Sequence, residues 1–489
     1  MGSFCWVDFL RNYGVPAEDI RVLGVATDKR PYAKYDRLCR NSQIPDHERL
    51  RSNSISAPDN IWGFPGYASR ETVRDLLSGR IGGLKHVLQV FGEEMLTESY
   101  TPRIGDMKRS MDAEALRIGW DVMWMAAQVA GIRKTDDERY VIAYRVPSQA
   151  APSVDRSERQ RFLLARYIHI ATGYPAFNFL PDLRDFRQAH PQSRAVVNAY
   201  EDHEEVYRTL QQKGGTVLIR GRGIVASRII QRLSEVRERN TGVRILHLVR
   251  SPVKQGHKYD LATRPVRNDV EHQPFNWPKA SWGGTYRKLL EGASPEERAR
   301  LLAIWGGTTT VNRASWNNII EQGTKEGWYK IFYGNVRSIM SVDGRIETRL
   351  DSSDPFAENV DLAADYVIDC TGLIASLDET PFIGDLIRTY DLERNKGSGE
   401  EGEVRRLSGL AVTNDFEIAG LRNGRAHAWA AGVVVINGPY AAVDSFLGLQ
   451  YVALRSADRL ASLGAPHVSR FGPLRSFWQW TKWCRGAAP

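Results

Sequence analysis

Cysteine is scarce in these 489 residues: Cys5, Cys39, Cys370 and Cys484 stand far apart and form no CxxC pair. That spacing argues against a zinc site, a disulfide framework and a dithiol redox centre, and it suits a reducing cytoplasm. The ten histidines include no HExxH and no other metal-ligand spacing, so no metal site is expected. Long apolar runs are missing as well. Nothing reaches the roughly 18 apolar residues of a membrane-spanning helix. The opening MGSFCWVDFLRNYG has no basic segment leading into an apolar one, so it does not read as a signal peptide. There is no short-period repeat.

What is present describes a globular chain. Hydrophobic residues make up 42% and charged residues 25%, and the length suits two or three domains. The formal net charge of +8 is a mild excess. It favours phosphate-bearing ligands or acidic surfaces, although a solvated basic surface gives the same count. No nucleic-acid-binding module is visible.

The strongest local signal lies mid-chain. GGTVLIRG is a glycine turn followed by a β-branched apolar run, which predicts a strand. GRGIVASRIIQRLSEVRERN follows with Ile224, Ile229, Ile230 and Leu233 at helical spacing, and TGVRILHLVRSP predicts a second strand closed by Ser251-Pro252. Strand, glycine turn, helix and strand make a βαβ unit. At its turn stand Gly221, Gly223 and Ala226 as GxGxxA, followed by Ser227. The first glycine permits the tight turn, the second lets backbone approach a pyrophosphate, and the small third residue lets helix and strand pack closely. The helix N-terminus then offers free N–H groups to phosphate. A plain strand–turn–helix without a ligand has the same outline. The second strand ends at Arg250-Ser251, where NAD-preferring sites carry an acid. Arginine instead suits the 2′-phosphate of NADP, with a surface Arg at a strand end as the alternative.

Elsewhere, SFCWVDFLRNYG reads as a helix and VPAEDIRVLGV as a turn and strand; Gly2 would be the last glycine of a turn whose preceding strand is absent. Residues 72–130 read as largely helical. YVIAYRV and FLLARYIHIATG read as strands joined by the polar loop APSVDRSERQR, and WYKIFYGNV, RIETRLD and DYVIDCTG as three more. HAWAAGVVVI, 427–436, reads as a strand leading to a long amphipathic helix from Pro439 to Leu460, and 395–404 as a flexible loop.

Three further segments are similar to the flavoproteins with two dinucleotide-binding domains, the superfamily of pyridine-nucleotide reductases and class B flavin monooxygenases. They are Ile170-Ala171-Thr172-Gly173 with Pro175, Val367 to Thr371-Gly372, and Ala430-Ala431-Gly432 before the helix opened by Pro439. The resemblance covers nearly the whole chain, because the central βαβ unit falls between the two Thr-Gly segments. It implies an α/β fold of two nested Rossmann-like domains: an FAD-binding domain over 1–180 and 363–489, with an NAD(P)H-binding domain inserted over 181–362. It implies FAD and NADP as cofactors and a small-molecule substrate. FAD contacts would fall on Gly2, Ser3, Thr172, Gly173, Gly432 and Pro439, and NADP contacts on Gly221, Gly223, Ala226, Ser227, Arg250 and Ser251. Thr371 and Gly372 would mark the return crossing and bind cofactor as well, framing the flavin together with Thr172-Gly173 and the helix after Pro439. The departures are specific. The first GxGxxG is missing apart from Gly2, the Gly-Asp of the C-terminal element reads Gly432-Val433, and IRVLGV lacks a terminal Glu, with Asp28 the nearest acid. Either the numbering starts at an internal Met or the chain has lost flavin. The unpaired backbone left by a missing central strand favours the first, and a chain so numbered is expected to hold flavin poorly.

Without a dithiol or an FxGxxxHxxxW fingerprint, the expected activity is an NADPH-dependent monooxygenase. Asn268, Asn276, Trp277, Trp305, Asn312 and Trp316 loosely resemble the N-hydroxylating members, though they equally suit packing of the inserted domain. Such enzymes need few catalytic side chains, since the cofactor carries the chemistry. A membrane-surface NAD(P)H:quinone-type reductase and a flavin-free nucleotide sensor are the alternatives. His169 reads as a core residue. LRSFWQWTKWCRG puts Arg475, Gln479 and Lys482 on one helical face, with Leu474, Phe477, Trp478, Trp480 and Cys484 over much of the rest. A basic, Trp-rich end of this kind suits peripheral membrane contact through 474–489, docking on its own protein, or a second subunit of a homo-oligomer.

Overall fold

The computed structural model describes residues 1–25, 28–50, 66–91, 100–146, 160–250, 284–305, 314–351, 360–397 and 408–489. Ser251, Asn268, Asn276, Trp277 and Asn312 lie outside them, as do residues 151–159 of the loop expected at 151–161.

The chain opens on helix α1 (Gly2–Tyr13), which stops where Gly14 takes φ 106° and its N–H closes on the Leu10 and Arg11 carbonyls. Then come β1 (Val22–Gly24), α2 (Ala33–Asn41), α3 (Gly66–Leu77), α4 (Lys85–Phe91) and α5 (Ile104–Ile118). The helical reading of 72–130 ends too late. Gly119 adopts the left-handed conformation after α5, and beyond one short turn the chain is extended from Trp124. Strands β2 (Trp124–Ala126), β3 (Gln128–Lys134), β4 (Tyr140–Arg145), β5 (Gln160–Ala165), β6 (Tyr167–Ile170) and β7 (Ala176–Phe177) follow. β3, β4 and β5 form an antiparallel sheet, while β1 pairs in parallel with β2.

The inserted unit is a parallel sheet. Its elements are α6 (Pro181–Ala189), β8 (Val196–Asn198), α7 (Glu204–Lys213), β9 (Gly215–Arg220), α8 (Ile224–Arg239) and β10 (Val243–Val249). After α9 (Thr285–Gly292), α10 (Pro295–Trp305) and α11 (Ala314–Glu326) come β11 (Tyr329–Tyr333) and a meander of β12 (Val336–Val342), β13 (Arg345–Leu350) and β14 (Asp361–Ala364). β15 (Tyr366–Asp369) then closes a five-stranded sheet of order β11-β10-β9-β15-β8. β9 and β15 form its centre, and Val217, Leu218, Ile219, Val367 and Ile368 are fully buried there. β15 lies past the boundary expected at 362/363 yet pairs with β9 in this sheet.

The next strand is β16 (Leu373–Ile374), which pairs antiparallel with β7. The two crossings between the units therefore run side by side. The chain returns through α12 (Pro381–Tyr390) and β17 (His427–Ala430), which pairs in parallel with β6. The strand expected over 427–436 is only this half. Gly432, at φ 68°, breaks it into a 3-10 turn over Gly432–Val435. The helix expected from Pro439 starts later, as α13 (Phe446–Ser462). Asn437 and Ala442 hold left-handed φ values of 61° and 49°, which a helix cannot contain, and Ser445 caps the new start by accepting from the Gly448 N–H at 3.0 Å. Last comes α14 (Pro473–Cys484). Among the described residues no helix is long and apolar enough to cross a membrane.

Candidate functional site

Two helix N-termini, one in each unit, are built on glycine. At α1, a Cβ on Gly2 would lie 2.9 Å from the Ala171 Cβ and 3.3 Å from the Leu449 side chain, so the helix sits against the end of β6 in a way no larger residue allows. Ala431, at the end of β17, is the next neighbour at 3.6 Å. Gly2, Thr172-Gly173 and Gly432 thus come together, with the start of α1 facing the ends of β6 and β17. No side chain caps α1 and its first turn holds no acid, so its N–H groups are available to an anion. Ser3 is half-buried beside them. Pro439 is buried in the turns that lead to α13, away from the helix start it was expected to open. Among the described residues no strand joins β1 to β6, which belong to separate two-stranded sheets.

The sequence alone missed what surrounds Thr172-Gly173. The Lys34 ammonium donates to the Tyr174 carbonyl at 2.5 Å, and burial lowers its pKa. The Tyr174 hydroxyl pairs with Asp444, just before the cap of α13. Asp28 is held by Arg30 through both carboxylate oxygens, the shortest contact being 2.7 Å, so it is not a free ribose acceptor. His169 stacks on Trp6 with 4.7 Å between centroids, and burial pushes its pKa down to about 3, which fits the core role expected of it.

At α8 the fit is tighter. Gly221 takes φ 113°, and a Cβ there would lie 2.8 Å from the Cys370 carbonyl oxygen and 3.2 Å from the Thr371 nitrogen. Gly223 caps α8 with φ 151°, and again no side chain occupies the cap. Ala226 is 1% exposed, as the close packing of helix on strand requires. Ser227 is buried, and its hydroxyl donates to the Ile224 carbonyl at 2.9 Å, within its own helix. Arg250 stands exposed just past the end of β10. Thr371 and Gly372 lie beside Gly221 at the carboxyl edge of the parallel sheet, where α/β folds bind their ligands.

The crossings are locked to each other. The Leu180 N–H donates to one oxygen of Asp369 at 2.9 Å, and the Thr371 N–H and hydroxyl donate to the other at 2.9 and 2.5 Å. Burial raises the Asp369 pKa against these hydrogen bonds. The Asn178 N–H donates to the Gly372 carbonyl at 3.0 Å.

His247, on β10, supports the turn from behind. Its Nε2 lies 2.7 Å from the Gly221 carbonyl oxygen and its Nδ1 2.7 Å from the Tyr329 hydroxyl. Burial lowers its pKa, so the ring is neutral, with Nε2–H donating and Nδ1 accepting. Removing it in His247→Phe strips the turn of one hydrogen bond and should weaken NADPH binding about tenfold. Calorimetric titration checks this, and an unchanged affinity would mean that the turn holds itself. The unfolded chain takes up a proton near the ordinary value of 6.5 whereas the folded chain resists it. Stability should therefore fall as pH drops through that value, and less steeply in the variant.

All four cysteines are free. Burial pushes Cys5 up to about 12 and Cys39 up to about 11, and raises Cys370 well above its ordinary value, so none of these three offers a ready thiolate.

The nested units and paired crossings are an arrangement shared with solved structures of low sequence identity. These include the ornithine N-hydroxylase of Kutzneria sp. 744 with reduced FAD, NADP+ and L-ornithine (TM-score 0.60, 11% identity, 94% of this chain and 97% of that one). The FAD-bound cadaverine monooxygenase DfoA of Erwinia amylovora matches with TM-score 0.60 and 12% identity over 96% of this chain and 94% of its own. The L-lysine 6-monooxygenase of Pseudomonas syringae matches with TM-score 0.58 and 14% identity over 94% and 97%. No family model matches the sequence, and no curated protein does.

Proposed function

We propose that the chain is an FAD-dependent, NADPH-using monooxygenase that hydroxylates a nitrogen of a small primary amine. The observation that carries this reading is the pair of uncapped, glycine-opened helix N-termini, at Gly2 and Gly223, joined through the β7–β16 crossings. Gly2, Ser3, Thr172, Gly173 and Gly432 would hold FAD. Gly221, Gly223 and Ala226 would hold the pyrophosphate of NADP, Arg250 and Ser251 its 2′-phosphate, and Thr371-Gly372 would border it. The side chain of Ser227 turns inward, so its share would come through the backbone. When bound, FAD supplies hydride acceptance and oxygen activation. The overall reaction balances as R–NH2 + O2 + NADPH + H+ giving R–NHOH + H2O + NADP+. The fold neighbours named for ornithine, lysine and cadaverine support an amine as substrate. We place the enzyme in the cytoplasm, with residues 474–489 touching a membrane surface from outside the bilayer core.

The test uses the protein loaded with FAD. NADPH oxidation should require oxygen and an amine, and ornithine, lysine or cadaverine should yield a hydroxylamine. NADPH should outperform NADH, and Arg250→Ala should weaken NADPH selectively, by about 1–3 kcal/mol for a charged contact. Oxygen-independent turnover of a soluble quinone would assign a reductase instead. Failure to retain FAD at all would leave a nucleotide-binding protein.

A further inference from the structure

Two neighbouring helical elements are built inside out. In the hairpin of α3 and α4, Tyr67 and Ala68 anchor the start of α3 in the core, but from there on the side chains facing inward are polar: Thr72, Asp75 and His86 are 6%, 7% and 2% exposed. The Thr72 hydroxyl donates to the Gly83 carbonyl at 3.2 Å, and the His86 Nε2 lies 3.5 Å from Asp75. The outward side chains are apolar, with Leu77 85%, Ile81 75% and Leu84 49% exposed. α14 repeats the inversion. Ser476 and Gln479 are each 6% exposed, whereas Leu474 is 87% and Trp478 57% exposed. The polar side of α14 is spent on α1: Arg475 donates to the Tyr13 carbonyl at 2.7 Å and Gln479 to that of Asn12 at 3.3 Å. The two elements meet where the Arg70 guanidinium stacks 5.1 Å from the Trp483 ring.

Glu71, Asp75 and His86 come close enough inside the hairpin to resemble a metal site. Glu71, however, already receives Arg49 at 2.7 Å, Arg103 at 3.2 Å and the Tyr100 hydroxyl at 2.8 Å. That cluster is an ion-pair knot that holds the polar side inward, and so fixes the apolar side outward.

The charge on this face decides what it fits. Within the hairpin both acids, Glu71 and Asp75, are buried, while Arg70, Arg80 and Lys85 are exposed. From 459 to the last residue, 489, the sequence has five Lys and Arg residues and no acid. An isologous dimer through this face would set cations against cations. Apolar side chains rimmed by Lys and Arg, with a Trp among them, instead match the boundary of an anionic bilayer. We propose that the α3–α4 hairpin and α14 together form a docking face for an anionic lipid surface. This rests on the membrane contact proposed for 474–489 and extends it to a second element. It does not depend on the oxidoreductase reading.

The experiment is flotation of the full chain with mixed phosphatidylcholine–phosphatidylglycerol vesicles, against pure phosphatidylcholine. Binding should be strong to the mixed vesicles only. Leu77→Glu with Ile81→Glu, and separately Leu474→Glu with Trp478→Glu, should each weaken it about tenfold or more. These positions are exposed, so circular dichroism should be unchanged. Loss in the α14 variant with full binding in the hairpin variant would overturn the shared face while sparing the tail contact. Absence of wild-type binding would overturn both. A dimer in sedimentation velocity that the hairpin variant splits into monomers would assign the face to a second copy. NADPH oxidation in solution, measured on the same variants, reports on the catalytic reading separately.

Discussion

Gly221→Ala is expected to lower NADPH affinity about 100-fold or more, the equivalent of some 2.7 kcal/mol. Two costs add at this position. The backbone sits at φ 113°, a conformation that costs any L-residue roughly 1–2 kcal/mol. A Cβ would also lie 2.8 Å from the Cys370 carbonyl oxygen and 2.9 Å from its carbon. These are atoms of backbone just past the central strand β15, where they cannot yield as the tip of a side chain would. The Cys370 N–H is already committed to the Arg220 carbonyl. The turn must therefore lift away from the sheet, taking the start of α8 with it and misdirecting the N–H groups that would grip the pyrophosphate. Gly372→Ala separates the two costs. Gly372 has φ 107° but nothing within 4 Å of its Cβ position, so only the conformational cost remains. Its loss should be about tenfold at most. Calorimetric titration of both variants with NADPH, alongside their melting temperatures, measures the difference. Equal losses would refute the steric account of the turn.

The same turn explains why the central βαβ unit was legible in the sequence. GxGxxA between a β-branched run and a helix with isoleucines at helical spacing is a local pattern, and local geometry obeys it. The paired crossings were legible because Thr172-Gly173 and Thr371-Gly372 each end a strand. Gly2 was legible as the last glycine of a turn, but not the close approach to Ala171, 169 residues away, that requires it. What stayed hidden acts across the chain. Nothing near His247 announces that its ring supports Gly221, since the contact depends on β9 and β10 lying side by side. Asp444 joins Tyr174 only once α13 packs against the strand ends, and the shift of that helix from Pro439 to Phe446 follows from left-handed residues that carry no glycine to flag them. Periodicity also gives the faces of a helix without saying which one turns inward. For α14 an apolar side suggests the interior, yet Arg475 and Gln479 dock and Trp478 faces out. Hydrogen bonds to the backbone carbonyls that end α1, rather than hydropathy, set that orientation.

Glu48→Ala is expected to destabilise the protein by about 3–5 kcal/mol, the usual consequence of stranding one member of a buried ion pair. Glu48 belongs to the segment after α2, and its carboxylate pairs with Arg228, in the second turn of α8. Both side chains are nearly removed from water, at 7% and 6% exposure. The pair therefore fastens α8 to the part of the chain that carries α1. Without Glu48, the guanidinium keeps, among the described residues, one hydrogen bond, to the Gln231 side chain at 2.6 Å, and no other carboxylate. Glu48→Gln should recover part of the loss, because an amide oxygen still accepts from Arg228 but carries no charge. Replacing both partners with apolar residues of similar volume, Glu48→Leu with Arg228→Met, should be far milder than Glu48→Ala, since no charge is then left buried. Urea unfolding of the wild type, Glu48→Leu, Arg228→Met and the double variant gives the coupling energy directly. A coupling near zero would mean that water reaches the pair and screens it. In that case the two units are held together by the β7–β16 crossings and Asp369 rather than by this ion pair.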